Sequence, residues 1–156
     1  VKRWDRRALE GLPLKLLIMS LLISLTAPVV MGSMESYERS TARSIMVAEA
    51  GQVVEVVEEV MSAGEGNRRI VTVTLPASAD RFHLVLEIGG PLDRGSSLTV
   101  RCACDGLAFS TIAPESPPAR MTFNGDTLRL SAGEHRLAIE CVRVDGRTVA
   151  SLEVMP

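Results

Sequence analysis

Hydrophobic and polar residues follow three regimes along this chain. Residues 12–31 are almost continuously apolar, interrupted by Pro13, Lys15 and Pro28. From Met34 onward, Ala42, Ile45, Met46, Val53, Val56, Val57 and Val60 recur at spacings of three, four and seven, which is one face of a helix. Glu49 falls on that face, while Glu35, Glu38, Arg39, Arg43, Gln52, Glu55, Glu58 and Glu59 fill much of the remainder. Ser62, Ala63, Gly64, Glu65 and Gly66 supply a stop, because glycine accepts the left-handed conformation of a helix C-cap. The pattern predicts one helix over 9–63, apolar in 12–31 and amphipathic in 33–63. At 1.5 Å per residue, its part between Leu16 and Ala63 would extend roughly 70 Å.

Beyond Gly66 the period becomes two. Val71, Val73 and Leu75 alternate with threonines, and Phe82, Leu84, Leu86 and Ile88 form a second series. Leu98, Val100, Cys102 and Cys104 form a third. Further strands are expected over 107–112, 121–123, 127–131, 136–143 and 148–154. Asn124-Gly125 and Asp145-Gly146 are hairpin signals, since both central residues of a type I′ turn need positive φ. Gly89-Gly90-Pro91, Gly95-Ser96-Ser97 and Pro117-Pro118 mark loops. The expected fold is α+β: a long apolar N-terminal helix, then an all-β antiparallel sandwich of immunoglobulin-like size over 67–156. Aromatics are only 3% of the chain, so aliphatic side chains and cysteines must fill its core, with Phe82, Phe109 and Phe123 as the bulky members.

Charge sharpens the picture of the N-terminal part. The formal net charge is −2, yet Lys2, Arg3, Arg6, Arg7 and Lys15 precede Leu16 against only Asp5 and Glu10. Basic residues accumulate on the cytoplasmic flank of membrane segments, which puts the N-terminus inside and the β domain outside. Nucleic acid is a poor partner, since the part after Met31 has no basic surplus to neutralise phosphates. Three readings of the apolar run stay open. It is a secretory signal with its apolar region over 16–26 and cleavage near Val30, Met31 or Gly32. It is a signal anchor whose Lys15 snorkels to the headgroups. Or it is a segment cut on its cytoplasmic side and retained.

The third reading carries a resemblance. The order Arg6, Arg7, Ala8, Leu9, Glu10, Gly11, Leu12 resembles the processing region of archaeal type IV pilins and archaellins. In that family a basic and a small residue precede the cut made by a prepilin-type peptidase, and the apolar helix stays on the mature protein. The resemblance implies a leader of residues 1–8, a processing site at Arg7, Ala8 and Leu9, and Glu10 as the acidic residue of the new N-terminus. It also implies a long apolar helix followed by an all-β head, which is the order predicted above. The implied function is that of a structural subunit of an extracellular filament, a helical homopolymer drawn from the membrane with its β heads outward. Lys15 would then pair with Glu10 of a neighbouring subunit, because an unpaired charge in an apolar bundle is expensive. The alternative is a membrane-anchored extracytoplasmic β-sandwich that binds a partner or cell-envelope ligand. In either case the loops at 89–97 and 113–119 are candidate contact surfaces.

Three cysteines leave several chemistries open. Cys102 and Cys104 are two apart on one strand and face the same way, so they are poorly placed to bond each other. Either one is a candidate disulfide partner for Cys141 in an exported domain. A metal site completed by His135 lacks Cys-x-x-Cys spacing, and free buried thiols acting as small hydrophobes are the third possibility. No catalytic constellation stands out. His83 and His135 read as surface residues, Asp80 and Asp93 sit in turn-forming loops, and Ser110 lacks Gly-x-Ser-x-Gly context. Neither an enzyme nor a cofactor is expected.

Overall fold

The computed structural model describes residues 6–77, 82–115 and 119–156, with side chains from Pro13 onward. Asp80, Pro117 and Pro118 lie outside the described residues. One helix, α1 (Arg6–Ala63), comes first. Eight strands follow: β1 (Arg68–Leu75), β2 (Leu84–Ile88), β3 (Val100–Cys104), β4 (Leu107–Ile112), β5 (Arg120–Thr122), β6 (Leu128–Leu130), β7 (Gly133–Val144) and β8 (Arg147–Met155). The chain divides into two compact units, one up to Thr41 and one over Ala42–Pro156.

The second unit holds the core. Its strands form two four-stranded sheets, in the orders β1-β7-β8-β5 and β4-β3-β2-β6. The inward residues of both sheets share one hydrophobic cluster with Ala42, Met46, Ala50, Val53, Val54, Val57 and Val60 of the helix. The end of α1 is therefore a core element of the β unit. Two of the residues in this buried stripe, Ala50 and Val54, are absent from the stripe drawn on the sequence, and Ile45 is 40% exposed. The true stripe leans toward Ala50 and Val54 because it must meet two sheets, which widens it beyond a single row.

Glu49, the flaw in the apolar face, has a task. Its carboxylate accepts a hydrogen bond from the Thr74 backbone N–H at 3.1 Å. β1 is an edge strand, and an edge leaves backbone donors without ladder partners. Glu58 does the same for the N–H of Glu115, at 2.8 Å. The helix thus contributes apolar stripe and flanking acceptors together. At its end Asn67 Nδ2 donates to the carbonyls of Ala63 (2.7 Å) and Gly64 (3.0 Å), closing a terminus that leaves carbonyls free. Gly66 N–H then donates to Cys141 O, and Cys141 N–H to Asn67 O, so the chain passes directly from helix to sheet.

The antiparallel expectation fails at one pairing: β5 runs parallel to β8. After β4 the chain leaves one sheet, adds the three-residue β5 to the edge of the other, and returns as β6 beside β2. Asn124 and Gly125 do take positive φ, 49° and 87°. However, they turn between strands of different sheets, joined only by the Phe123–Asp126 bridge, and not within a simple hairpin. Asp145-Gly146 makes the expected tight turn between β7 and β8. Asp105-Gly106 makes a further one between β3 and β4, with φ of 52° and 80°. Leu98 belongs to a 3₁₀ turn, Gly95–Leu98, and not to β3. Of the three phenylalanines only Phe82 is buried, and Phe109 and Phe123 are partly so. Phe109 is the extra residue of a bulge in β4, opposite the Cys102/Ala103 step, and the Arg43 guanidinium stacks on its ring at 5.2 Å.

Arg120 fastens the loop that precedes β3. Its guanidinium donates to the carbonyl of Leu92 and to Ser97 Oγ (2.8 Å), while the fully buried Ser97 hydroxyl donates to Arg94 O at 2.7 Å. Below this loop Gly89 has φ of 64°, and a β-carbon there would come within 2.3 Å of Met121 O. Replacing Arg120 with alanine leaves these acceptors without their charged donor. It is expected to lower stability by about 2 kcal/mol in urea denaturation and to raise amide exchange across 91–97.

Candidate functional site

The candidate site is the apolar stretch of α1. Every large hydrophobic side chain from Leu14 to Met34 is exposed, from 48% at Ile18 to 70% at Leu25. Lys15 is the only charged residue between Glu10 and Glu35. A helix that is apolar all round belongs in a core, a membrane or a bundle of like helices. Here none of the apolar stretch is buried within the chain. α1 is long and apolar enough to cross a membrane, since about 20 residues span the hydrocarbon.

Its few polar groups are turned inward on the helix itself. Ser20 donates to Leu17 O, Ser24 to Leu21 O, Thr26 to Leu22 O and Ser33 to Val29 O, each at 2.9 Å. Hydroxyls bonded to the preceding turn are a low-cost way to carry serine and threonine through surroundings without water. Pro13 and Pro28 both lie within the helix and do not end it. The sequence marks Pro28 as a breaker, because proline removes an N–H and clashes with the carbonyl four residues back. Neighbouring hydroxyls and helices are what usually make proline tolerable in apolar surroundings.

Of the residues proposed for processing and assembly, Arg7, Ala8, Leu9 and Glu10 lie on the helical backbone, and their side chains fall outside the described residues. Lys15 is exposed and has no ion-pair partner among the described residues. Tyr37, 74% exposed, stands one turn beyond the last apolar residue of the stretch, where an amphipathic ring suits an interface between apolar and wet surroundings.

Of the possibilities open for Cys102, Cys104 and Cys141, the structure has all three as buried free thiols. Cys102 and Cys104 lie on one sheet and Cys141 on the other. Cys102 Sγ points instead to Met46 O, at 3.7 Å, and Cys104 Sγ to Asp105, at 3.6 Å. Burial pushes the Cys102 thiol up to about 11. Burial, with the Glu65 charge second, raises that of Cys141 as well. A folded-state value above the unfolded one means that the native thiols stay protonated while unfolded ones begin to ionise near pH 9. Their contribution to stability is complete below that pH and fades as pH climbs above it, for Cys102 toward about 11. Iodoacetamide at pH 8 is accordingly expected to spare Cys102 and Cys141 in the native protein and to label both in guanidinium, as read by intact mass.

His135 binds no thiol. Its ring nitrogen lies 2.8 Å from Ser131 O, and no group of three metal-ligating side chains occurs among the described residues. His83 is exposed, and its backbone N–H donates to Asp105 Oδ1. The loop at 89–97, expected as a contact surface, is ordered by Arg120 and borders a polar cleft that sequence reasoning did not find. Three arginines line that cleft: the register of β2 with β3 and β6 brings Arg101 and Arg129 to it, and Arg94 reaches it from the loop. No protein-family model, no curated protein and no solved structure matches this chain.

Proposed function

We propose that this chain is a structural subunit of an archaeal type IV pilus-like filament, in which the apolar part of α1 packs with its copies and the β unit, an immunoglobulin-like sandwich, faces outward. The observation that carries this reading is the stretch from Leu14 to Met34, apolar on every side and unburied. Such a helix needs either lipid or its own kind. Lipid tails and leucine side chains are similarly apolar, so transfer from membrane to bundle has little hydrophobic cost and packing holds the product. Repetition of one head-to-tail contact that does not close gives a fibre. In this reading a prepilin-type peptidase cuts after Ala8, and Lys15 pairs with Glu10 of a neighbour.

A second reading rests on Tyr37 and the apolar length. Residues 14–34 fit one bilayer crossing with Tyr37 at the outer headgroups, the layout of a membrane-anchored extracytoplasmic β domain. Intact mass of the surface-exposed protein separates the two. Loss of residues 1–8 is expected for the filament subunit, together with sedimentation of sheared surface material. Retention of those residues overturns the filament reading and leaves the anchor. Loss of the whole apolar run would overturn both.

A further inference from the structure

The outer face of the β4-β3-β2-β6 sheet carries a cleft of about 530 Å³, within the roughly 300–1,000 Å³ of small-ligand sites. Glu87 forms its floor. Leu86 and Ile88 beside it point into the core, so Glu87 points out. Its register partners are Arg101 on β3 and Arg129 on β6. The single carboxylate lies 3.7 Å from the Arg101 guanidinium and 3.1 Å from Arg129 Nε. The Arg129 side chain is 73% exposed and so open to a ligand. Arg94 enters from the neighbouring loop, and its side chain has no partner among the described residues.

Three arginines against Glu87 and Asp126 leave one positive charge in the cleft. One carboxylate on the ligand would neutralise it, and a guanidinium presents paired N–H groups in the geometry a carboxylate accepts. The lining adds acceptors in Asp126 and Glu87 and hydroxyls in Ser96 and Thr127. These suit a ligand whose unit seated in the cleft has several hydroxyls beside one carboxylate. The walls are also built before any ligand arrives. Gly90 N–H donates to Met121 O and Arg94 N–H to Pro91 O, and Arg120 pins the loop from behind. Little ordering remains to be done on binding, which favours affinity.

We propose that this cleft binds an acidic saccharide, with a uronate carboxylate across Arg94 and Arg129 and sugar hydroxyls donating to Asp126 and Glu87. The site is independent of whether α1 ends in lipid or in a filament. An acidic peptide fits less well, because it would leave the acceptors of the cleft without donors and would bring side chains for which there is no apolar pocket.

The test is calorimetric titration of the full chain, held in neutral detergent, with oligogalacturonate. Saturable binding that weakens with salt is expected. Arg94→Ala and Arg129→Ala should each raise Kd about tenfold, the loss of one charged hydrogen-bonded contact. Arg68→Ala, which removes an ion pair to Glu153 elsewhere, should leave Kd unchanged. Both cleft arginines are surface residues, and an unaltered circular dichroism spectrum will show that the variants fold. Three results would each overturn the proposal: no binding of oligogalacturonate, binding that survives the Arg94→Ala/Arg129→Ala double variant, or equal binding of neutral malto-oligosaccharide or polyglutamate.

Discussion

A chain that begins at Asn67 is expected to be unfolded, whereas one that begins at Thr41 should keep a folded β unit. The shorter chain has every strand but loses Met46, Val53, Val54, Val57 and Val60 from the core, each at most 7% exposed in the whole protein. Burying such a side chain is worth about 1.5–3 kcal/mol. Together these exceed much of the ~5–15 kcal/mol by which a domain is stable at all. The loss also strips Thr74 and Glu115 of the carboxylates that accept their N–H groups. Circular dichroism and a cooperative urea transition measure the outcome. A two-state transition for the chain starting at Asn67 would show that α1 is an accessory to the sheets and not part of their core.

The second large effect lies in the apolar stretch. Leu22→Arg places a charge near its centre, where lipid insertion is opposed by roughly 2.5–3.5 kcal/mol. In a bundle of like helices the same arginine would be a buried unpaired charge. Membrane recovery after carbonate washing is expected to collapse for Leu22→Arg and to persist for Leu22→Met. Ile45→Arg, on an exposed position of the β unit, should change neither recovery nor folding. Full recovery of Leu22→Arg in washed membranes would mean that this face of the helix meets water in the native protein.

Local chemistry made most of the fold legible. Gly64, Gly66 and the Asp145-Gly146 turn punctuate as written, because positive φ is a property of single residues. Period-two alternation located the strands, since each pleat has one wet face and one dry face. Asp105-Gly106 carries the same signal as the other turns and was legible on the same terms. What the sequence hides is pairing between distant segments. The parallel contact of β5 with β8, the assignment of Cys102 and Cys141 to different sheets, and the meeting of Arg94, Arg101 and Arg129 all depend on which strands become neighbours. Ile45 and Ala50 depart from the predicted stripe for a related reason. Periodicity fixes a face to within one position, while the shape of the partner surface decides which rim of that face is covered.

The single helix α1 also sets two different rules for how its sequence can drift. Between Ala42 and Val60 each side chain has a fixed bearing, so inserting one residue would rotate everything beyond it by about 100° and turn Val53 and Val57 toward solvent. Substitution is tolerated there only in phase. Between Leu14 and Met34 there is no bearing to lose, and an added or deleted apolar residue changes length alone. Related chains should therefore align without gaps over the last turns of the helix. They should vary freely in length and identity over its apolar stretch, holding to composition where the other half holds to register.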